Sequence, residues 1–236
     1  MPIINLVYEA PENSGWQPWV NTLAYWRFNN DLTDEMGNMT ASWSYVSYWT
    51  IGTNHYVQNT SSGFNWAIAV TWDWLAEIGS WDWAVSMYVY VPTTSSTRQP
   101  YLFGEWYDGA SPRPWITVRY FWNTRKFHVE TADWVKASTS SAYSQEARYN
   151  VVATRVSWTV YLYVNWELAI TPYTYTYDYS TGSSHTFFLM NRTWWIEWTW
   201  GVSGARLSEV IYEKQGWSSQ NVIAYFNQTK SIYWIS

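Results

Sequence analysis

The sequence predicts an all-β fold, a sandwich with one short C-terminal helix. Three observations carry this. Apolar and polar residues alternate with period two over much of the chain, as half-buried strands require. Branched and aromatic side chains fill the alternating positions, aromatics reaching 22% of all residues, and such side chains fit a pleated surface. Turn-rich pieces at 92–100, 106–114 and 137–144 interrupt the runs at sandwich-like spacing.

At the N-terminus, residues 1–20 carry Pro2, Pro11, Gly15 and Pro18 and alternate weakly. This predicts an extended arm, lying along a neighbouring subunit or serving as an edge strand or tail of its own domain. The clearest strands are 84–91, 115–121, 126–130, 149–155, 159–164 and 205–212. One helix is expected, capped by Ser218 or Ser219 and running through Gln220 to Phe226, because a serine ahead of a helical apolar pattern satisfies the first unpaired N–H groups. No linker divides the chain beyond the arm, so 21–236 reads as a single domain.

Composition removes several function classes. Thirteen basic against eighteen acidic residues give a net charge of −5, the wrong sign for tracking phosphates, so nucleic acid is not an expected partner. Cysteine is absent, which excludes disulfides, thiolate metal sites and cysteine nucleophiles. The first residues lack a basic segment leading into an apolar one, and no apolar run reaches the roughly 18 residues of a spanning helix. Neither Sec export nor membrane insertion is therefore expected. A chain without an export signal still reaches an outside surface when built into a virus particle; a cytoplasmic location is the other reading.

Leu23 to Asn38, LAYWRFNNDLTDEMGN, is a hydrophobic strand ending in an aromatic and Phe, then a polar loop with Asp and a Gly-Asn pair. This stretch resembles the opening motif of laminin G-like domains of the concanavalin A-like lectin/glucanase superfamily. Ala84 to Val91 is similar to that family's central strand. Tyr149 to Thr171 resembles its paired strands joined by a Val-Asn-Gly turn, and Gly204 to Tyr212 with the 218–227 helix resembles its C-terminal strand and helix. The resemblance covers about residues 22 to 228 and implies a two-sheet antiparallel jelly roll. It also implies calcium as a candidate cofactor, with Asp31, Asp34 and Asn38 as the candidate ligands, residue types that equally make plain Asx turns.

One departure is systematic. The family turn is Val-Asn-Gly, whereas this chain reads Val164-Asn165-Trp166-Glu167. A two-residue hairpin turn here requires positive φ at both central positions, and a tryptophan there carries about 1 to 2 kcal/mol of left-handed strain. Ser157-Trp158 repeats the oddity, and Trp194, Trp195, Trp198 and Trp200 crowd a stretch that would otherwise make a glycine-rich loop. Glycine numbers 11 and tryptophan 22. Two readings stand: some tryptophans come from UGA, a codon read as tryptophan in one genetic code and glycine in another, or all are genuine and the turns use other geometries.

Catalytic patterns are missing. The superfamily's glucanases use Glu-x-Asp-x-x-Glu on one strand, and no such triplet occurs. Asp73, Glu77 and Asp82 form one acidic group. Glu209 and Glu213 form another, which the surrounding residues mark as strand-end carboxylates meeting solvent. His55, His128 and His185 are scattered without zinc spacing, and neither a Gly-x-Ser-x-Gly elbow nor a phosphate loop occurs. No cofactor is required by any motif. Four Asn-x-Ser/Thr matches, at Asn38, Asn59, Asn191 and Asn227, are ordinary for so Ser/Thr-rich a chain.

Aromatic faces stack on sugar rings. Tyr173, Tyr175, Tyr177 and Tyr179 alternate onto one face of a strand, either a glycan platform, a subunit contact or the packed side of an edge strand. The expectation is a non-enzymatic structural or adhesion domain displayed on a surface, that of a virus particle, with other protein subunits of the assembly and glycans as partners. The alternatives are a stand-alone lectin or adhesin and a glycoside hydrolase.

Overall fold

The structure is a computed structural model that describes residues 21–43, 46–51, 54–60, 68–71, 81–93, 101–107, 116–121, 123–131, 135–176, 185–190 and 205–233. The 1–20 arm and the tryptophans at 194–200 lie outside these residues. The strands of the first half are β1 (Thr22–Trp26), β2 (Thr40–Trp43), β3 (Val46–Ile51), β4 (Asn54–Asn59), β5 (Ile68–Thr71), β6 (Trp83–Val91), β7 (Tyr101–Tyr107) and β8 (Ile116–Phe121). Those of the second half are β9 (Lys126–Thr131), β10 (Val135–Ser138), β11 (Ala147–Val156), β12 (Thr159–Val164), β13 (Glu167–Leu168), β14 (Tyr173–Thr174), β15 (His185–Leu189) and β16 (Arg206–Glu213). Helix α1 spans Ser219–Thr229.

Two antiparallel sheets form. The nine-stranded sheet runs β13-β12-β11-β6-β16-β4-β3, with β1 also on β16 and β14 also on β12, and the seven-stranded sheet runs β10-β9-β8-β7-β15-β5-β2. The expected all-β, two-layer architecture is what the chain adopts, with one short C-terminal helix among the described residues. Period-two alternation sets the layers, since successive side chains leave a strand on opposite faces. On β6, Val85, Met87, Val89 and Val91 enter the core between the sheets, while Ala84 and Tyr88 belong to a second apolar cluster with Val152, Ile211 and Trp217.

Helix α1 covers that second cluster with Val222 and Tyr225. Ser218 is its cap, its Oγ accepting from the Asn221 N–H at 3.3 Å. Ahead of the helix, Gly216 sits so close to β11 that a Cβ there would lie 2.2 Å from the Arg155 carbonyl oxygen. The two hairpin turns take the geometry their length demands: φ is 48° at Ser157 and 68° at Trp158, then 48° at Asn165 and 68° at Trp166.

Candidate functional site

The outer face of the nine-stranded sheet has two parts, one under α1 and one beyond the helix, half-buried except at Trp49. Under α1, β16 presents Glu209, Ile211 and Glu213 on the face opposite Val210 and Tyr212. This corrects the strand-end reading of the two glutamates, which are both 0% exposed: the face their spacing puts them on is roofed by the helix. Glu209 accepts hydrogen bonds from the hydroxyls of Tyr225, of Tyr233 at 2.6 Å and of Tyr25 at 3.1 Å. Burial pushes its pKa up, against the pull of those donors. Glu213 accepts from the Trp217 indole N–H at 2.5 Å and the Thr22 hydroxyl at 2.9 Å, and burial raises it to about 7. With its oxygens spent on tyrosines that belong to β1, α1 and the segment after it, Glu209 ties the sheet to its roof.

The part beyond the helix carries polar and aromatic side chains at one register level. Arg148 on β11 and Arg206 on β16 both stand opposite Tyr90 on β6, and Arg206 in turn opposes Gln58 on β4, which opposes Ser47 on β3. The Arg206 guanidinium lies 4.7 Å from the Trp49 ring centroid and 5.0 Å from that of Tyr90. Its Nε donates to Gln58 Oε1 at 2.8 Å, and the Trp49 indole N–H donates to Ser47 Oγ at 3.1 Å. Trp49 is thus fixed on one side by a cation–π contact and stays 46% exposed. Beside it, Tyr56, Tyr88, Arg148, Ser208 and Tyr233 line a crevice too narrow to hold water. Ser208 is the extra residue of a β-bulge against β6, a device that re-aims side chains. None of this is legible as a motif, because the row is assembled from β3, β4, β6, β11 and β16.

Of the sequence-predicted tyrosine row, the two described members lie on the packed side, one of the readings their alternation left open. Tyr175 packs in the core between the sheets at 7% exposure. Tyr173 packs against that core, its hydroxyl 3.2 Å from Thr131 Oγ1, and burial pushes its pKa up to about 12. Tyr177 and Tyr179 lie outside the described residues.

Asp34 is 3% exposed, and its carboxylate is filled by backbone: Oδ1 accepts from the N–H groups of Tyr25 and Met36, Oδ2 from those of Asn38 and Met39. Asp31 accepts from the Thr33 N–H, and Asn38 donates to the Leu23 carbonyl. Asp34 is spent on the backbone around it, and no group of three carboxylate or histidine side chains gathers among the described residues. Asp34, its acceptor positions taken by four backbone N–H groups, has none left for a calcium ion. Asp82 accepts from the Ser157 N–H, while Asp73 and Glu77 lie outside the described residues. No described helix is long and apolar enough to cross a membrane.

No family model matches the chain, and no curated protein matches it. Solved structures do. A Trypanosoma rangeli sialidase in complex with 2,3-difluorosialic acid superposes with a TM-score of 0.67 at 11% identity, over 92% of this chain and 34% of the sialidase. Domain 4 of AbnA, an extracellular arabinanase of Geobacillus stearothermophilus in complex with arabinotriose, gives 0.64 at 15% identity, over 87% of this chain and 98% of that domain. Botulinum neurotoxin type C, whose cell entry depends on two ganglioside molecules, gives 0.60 at 12% identity over 88% of this chain and 51% of its own. The chain spans about a third of the length of the sialidases it matches. At such identities the likeness is one of fold: a jelly-roll-like β-sandwich.

Proposed function

We propose that the chain is a non-enzymatic, laminin G-like domain displayed on a surface, that of a virus particle, where it binds glycans through the outer face of the nine-stranded sheet beyond α1. The observation that carries the reading is the Trp49–Arg206–Tyr90 stack. It sets the Arg206 guanidinium between the Trp49 and Tyr90 rings while Trp49 stays 46% exposed, and a pre-positioned aromatic plane is what a sugar ring stacks on at small entropic cost. Neighbouring hydroxyl, amide and guanidinium groups of Ser47, Gln58 and Arg148 supply polar partners for sugar hydroxyls. The folds that superpose include proteins solved with arabinotriose and with a sialic acid derivative, which supports the reading without naming a sugar. Against hydrolysis, Glu209 and Glu213 are buried beneath α1, whereas a glycosidase aims two carboxyl groups at a cleft.

The test is a glycan array with calorimetric titration of any hit. Trp49→Ala and Arg206→Ala each weaken binding about tenfold or more, the equivalent of one strong contact, without lowering the melting temperature appreciably. A purified chain that ignores every glycan removes the binding role. The assembly role is tested by peptide mass spectrometry of purified particles and by the chain's oligomeric state; a lone, sugar-indifferent monomer overturns both.

A further inference from the structure

Resting on the glycan-binding reading, we propose that the sugar taken by this face carries an anionic group, a carboxylate or a sulfate, received by Arg148 with Arg206 beside it. The described residues hold one ion pair, Arg119 with Glu130 on the seven-stranded sheet. Arg148 and Arg206 stand on either side of Tyr90, and neither has a carboxylate partner among the described residues. In a chain of net charge −5, this row is a local reversal of sign. A guanidinium fork with no acid of its own matches a two-oxygen anion in geometry as well as charge.

A second observation points the same way. The Tyr56 hydroxyl and Ser208 Oγ, each in a residue 2% exposed, have no hydrogen-bond partner among the described residues. Both line the crevice beside Arg148, whose guanidinium lies 5.7 Å from the Tyr56 ring centroid. Buried hydroxyls without acceptors carry an uncompensated desolvation cost. An oxyanion held by Arg148 at the mouth of the crevice places an acceptor beside this corner. The arginines also pull the Tyr56 pKa down, against the larger effect of burial, so their field reaches the same hydroxyl.

The experiment titrates the full chain with matched pairs of oligosaccharides: an oligogalacturonate and its methyl ester, a sialylated lactose and lactose, a sulfated lactose and lactose. The expected result is at least one pair in which the acid form binds tenfold tighter or more, by an affinity that falls as salt rises and is lost in Arg148→Gln but largely kept in Arg148→Lys. Tyr56→Phe weakens the acid form and leaves the neutral one unchanged. Equal affinities within every pair overturn the anionic assignment while leaving glycan binding intact. If no member of any pair binds, both readings fall.

A different observation carries a second inference. Trp158 and Trp166 share one backbone angle, φ 68°, each as the second central residue of a two-residue hairpin turn whose first central residue has φ 48°. That position favours glycine, since a side chain of L-chirality meets its own backbone there. Both tryptophans are partly exposed, at 37% and 39%; the Trp166 ring lies 4.4 Å from that of Phe226 and the Arg155 guanidinium 5.0 Å from that of Trp158, contacts at the rim of the fold and not in the core between the sheets. We infer that these two positions are glycine in the protein as its source makes it, through UGA decoding. Trp26, Trp83 and Trp217, fully buried and at ordinary φ, show no such conflict. Peptide mass spectrometry of natural material is expected to find glycine at 158 and 166. In recombinant protein, Trp158→Gly and Trp166→Gly each raise the melting temperature by roughly 2 to 4 °C, whereas Trp217→Gly lowers it steeply. Natural peptides with tryptophan at both positions, or glycine variants that melt lower, overturn the inference.

Discussion

The Trp217 indole N–H donates to the Glu213 carboxylate at 2.5 Å, so the residue that leads into α1 is bonded to the last residue of β16. The same indole meets the Tyr225 ring edge-on, centroids 5.0 Å apart. One side chain therefore serves the carboxylate below it and the helix above it.

This carboxylate makes stability depend on pH. Its pKa is raised from 4.5 to about 7 in the folded chain, so between those values the folded state binds more protons than the unfolded one. Stability is then greatest in acid and declines as pH rises from about 4.5 to 7, by about 3 kcal/mol for a shift of this size. The upward shift at Glu209 has the same sign. Urea titrations from pH 4.5 to 8 measure the slope, and Glu213→Gln is expected to flatten it.

Tyr225→Phe keeps the ring against Trp217 and Tyr88 but deletes a donor to Glu209. Leaving a buried acceptor short costs about 1 to 3 kcal/mol, read as a lower denaturation midpoint. A double-mutant cycle with Glu209→Gln is expected to show strong coupling.

Asp34→Ala strands the N–H groups of Tyr25, Met36, Asn38 and Met39. A loss of roughly 2 to 4 kcal/mol is expected from several broken charge-assisted bonds, with Asp34→Asn intermediate. Calcium and EDTA leave the melting temperature of the parent chain unchanged, because that carboxylate is already saturated by backbone.

Gly216→Ala forces a methyl group to within 2.2 Å of the Arg155 carbonyl oxygen and 2.8 Å of Val156 Cγ2. Backbone on both sides must move, so destabilisation of about 3 kcal/mol or more is expected, accompanied by loss of the Trp217 N–H bond to Thr154 Oγ1 in hydrogen exchange.

Much of the fold is legible in the sequence because strand signals are local. Ala84 to Val91, Tyr149 to Arg155 and Thr159 to Val164 alternate cleanly and form β6, β11 and β12; Ser218 caps the helix its pattern announces. The strained turns are legible as well, since two residues between Val164 and Glu167 leave few backbone choices. Period two assigns side chains to faces without saying which face is covered. Glu209, Ile211 and Glu213 alternate just as a solvated edge does, and only the docking of α1 buries them. Tyr173 and Tyr175 illustrate the same ambiguity in reverse, belonging to the packed side. The row Arg148, Tyr90, Arg206, Gln58 is set by registers among strands far apart in the chain, information that no local window contains.

The position of β16 has a consequence for how the chain is born. Its 206–213 segment lies between β6 on one side and β4 with β1 on the other, so β1 and the β3–β4 hairpin cannot join β6 in one sheet until the ribosome has passed residue 213. Such distant pairing makes folding slow and late. Prematurely terminated chains would expose bare strand edges, the species most prone to stick to one another.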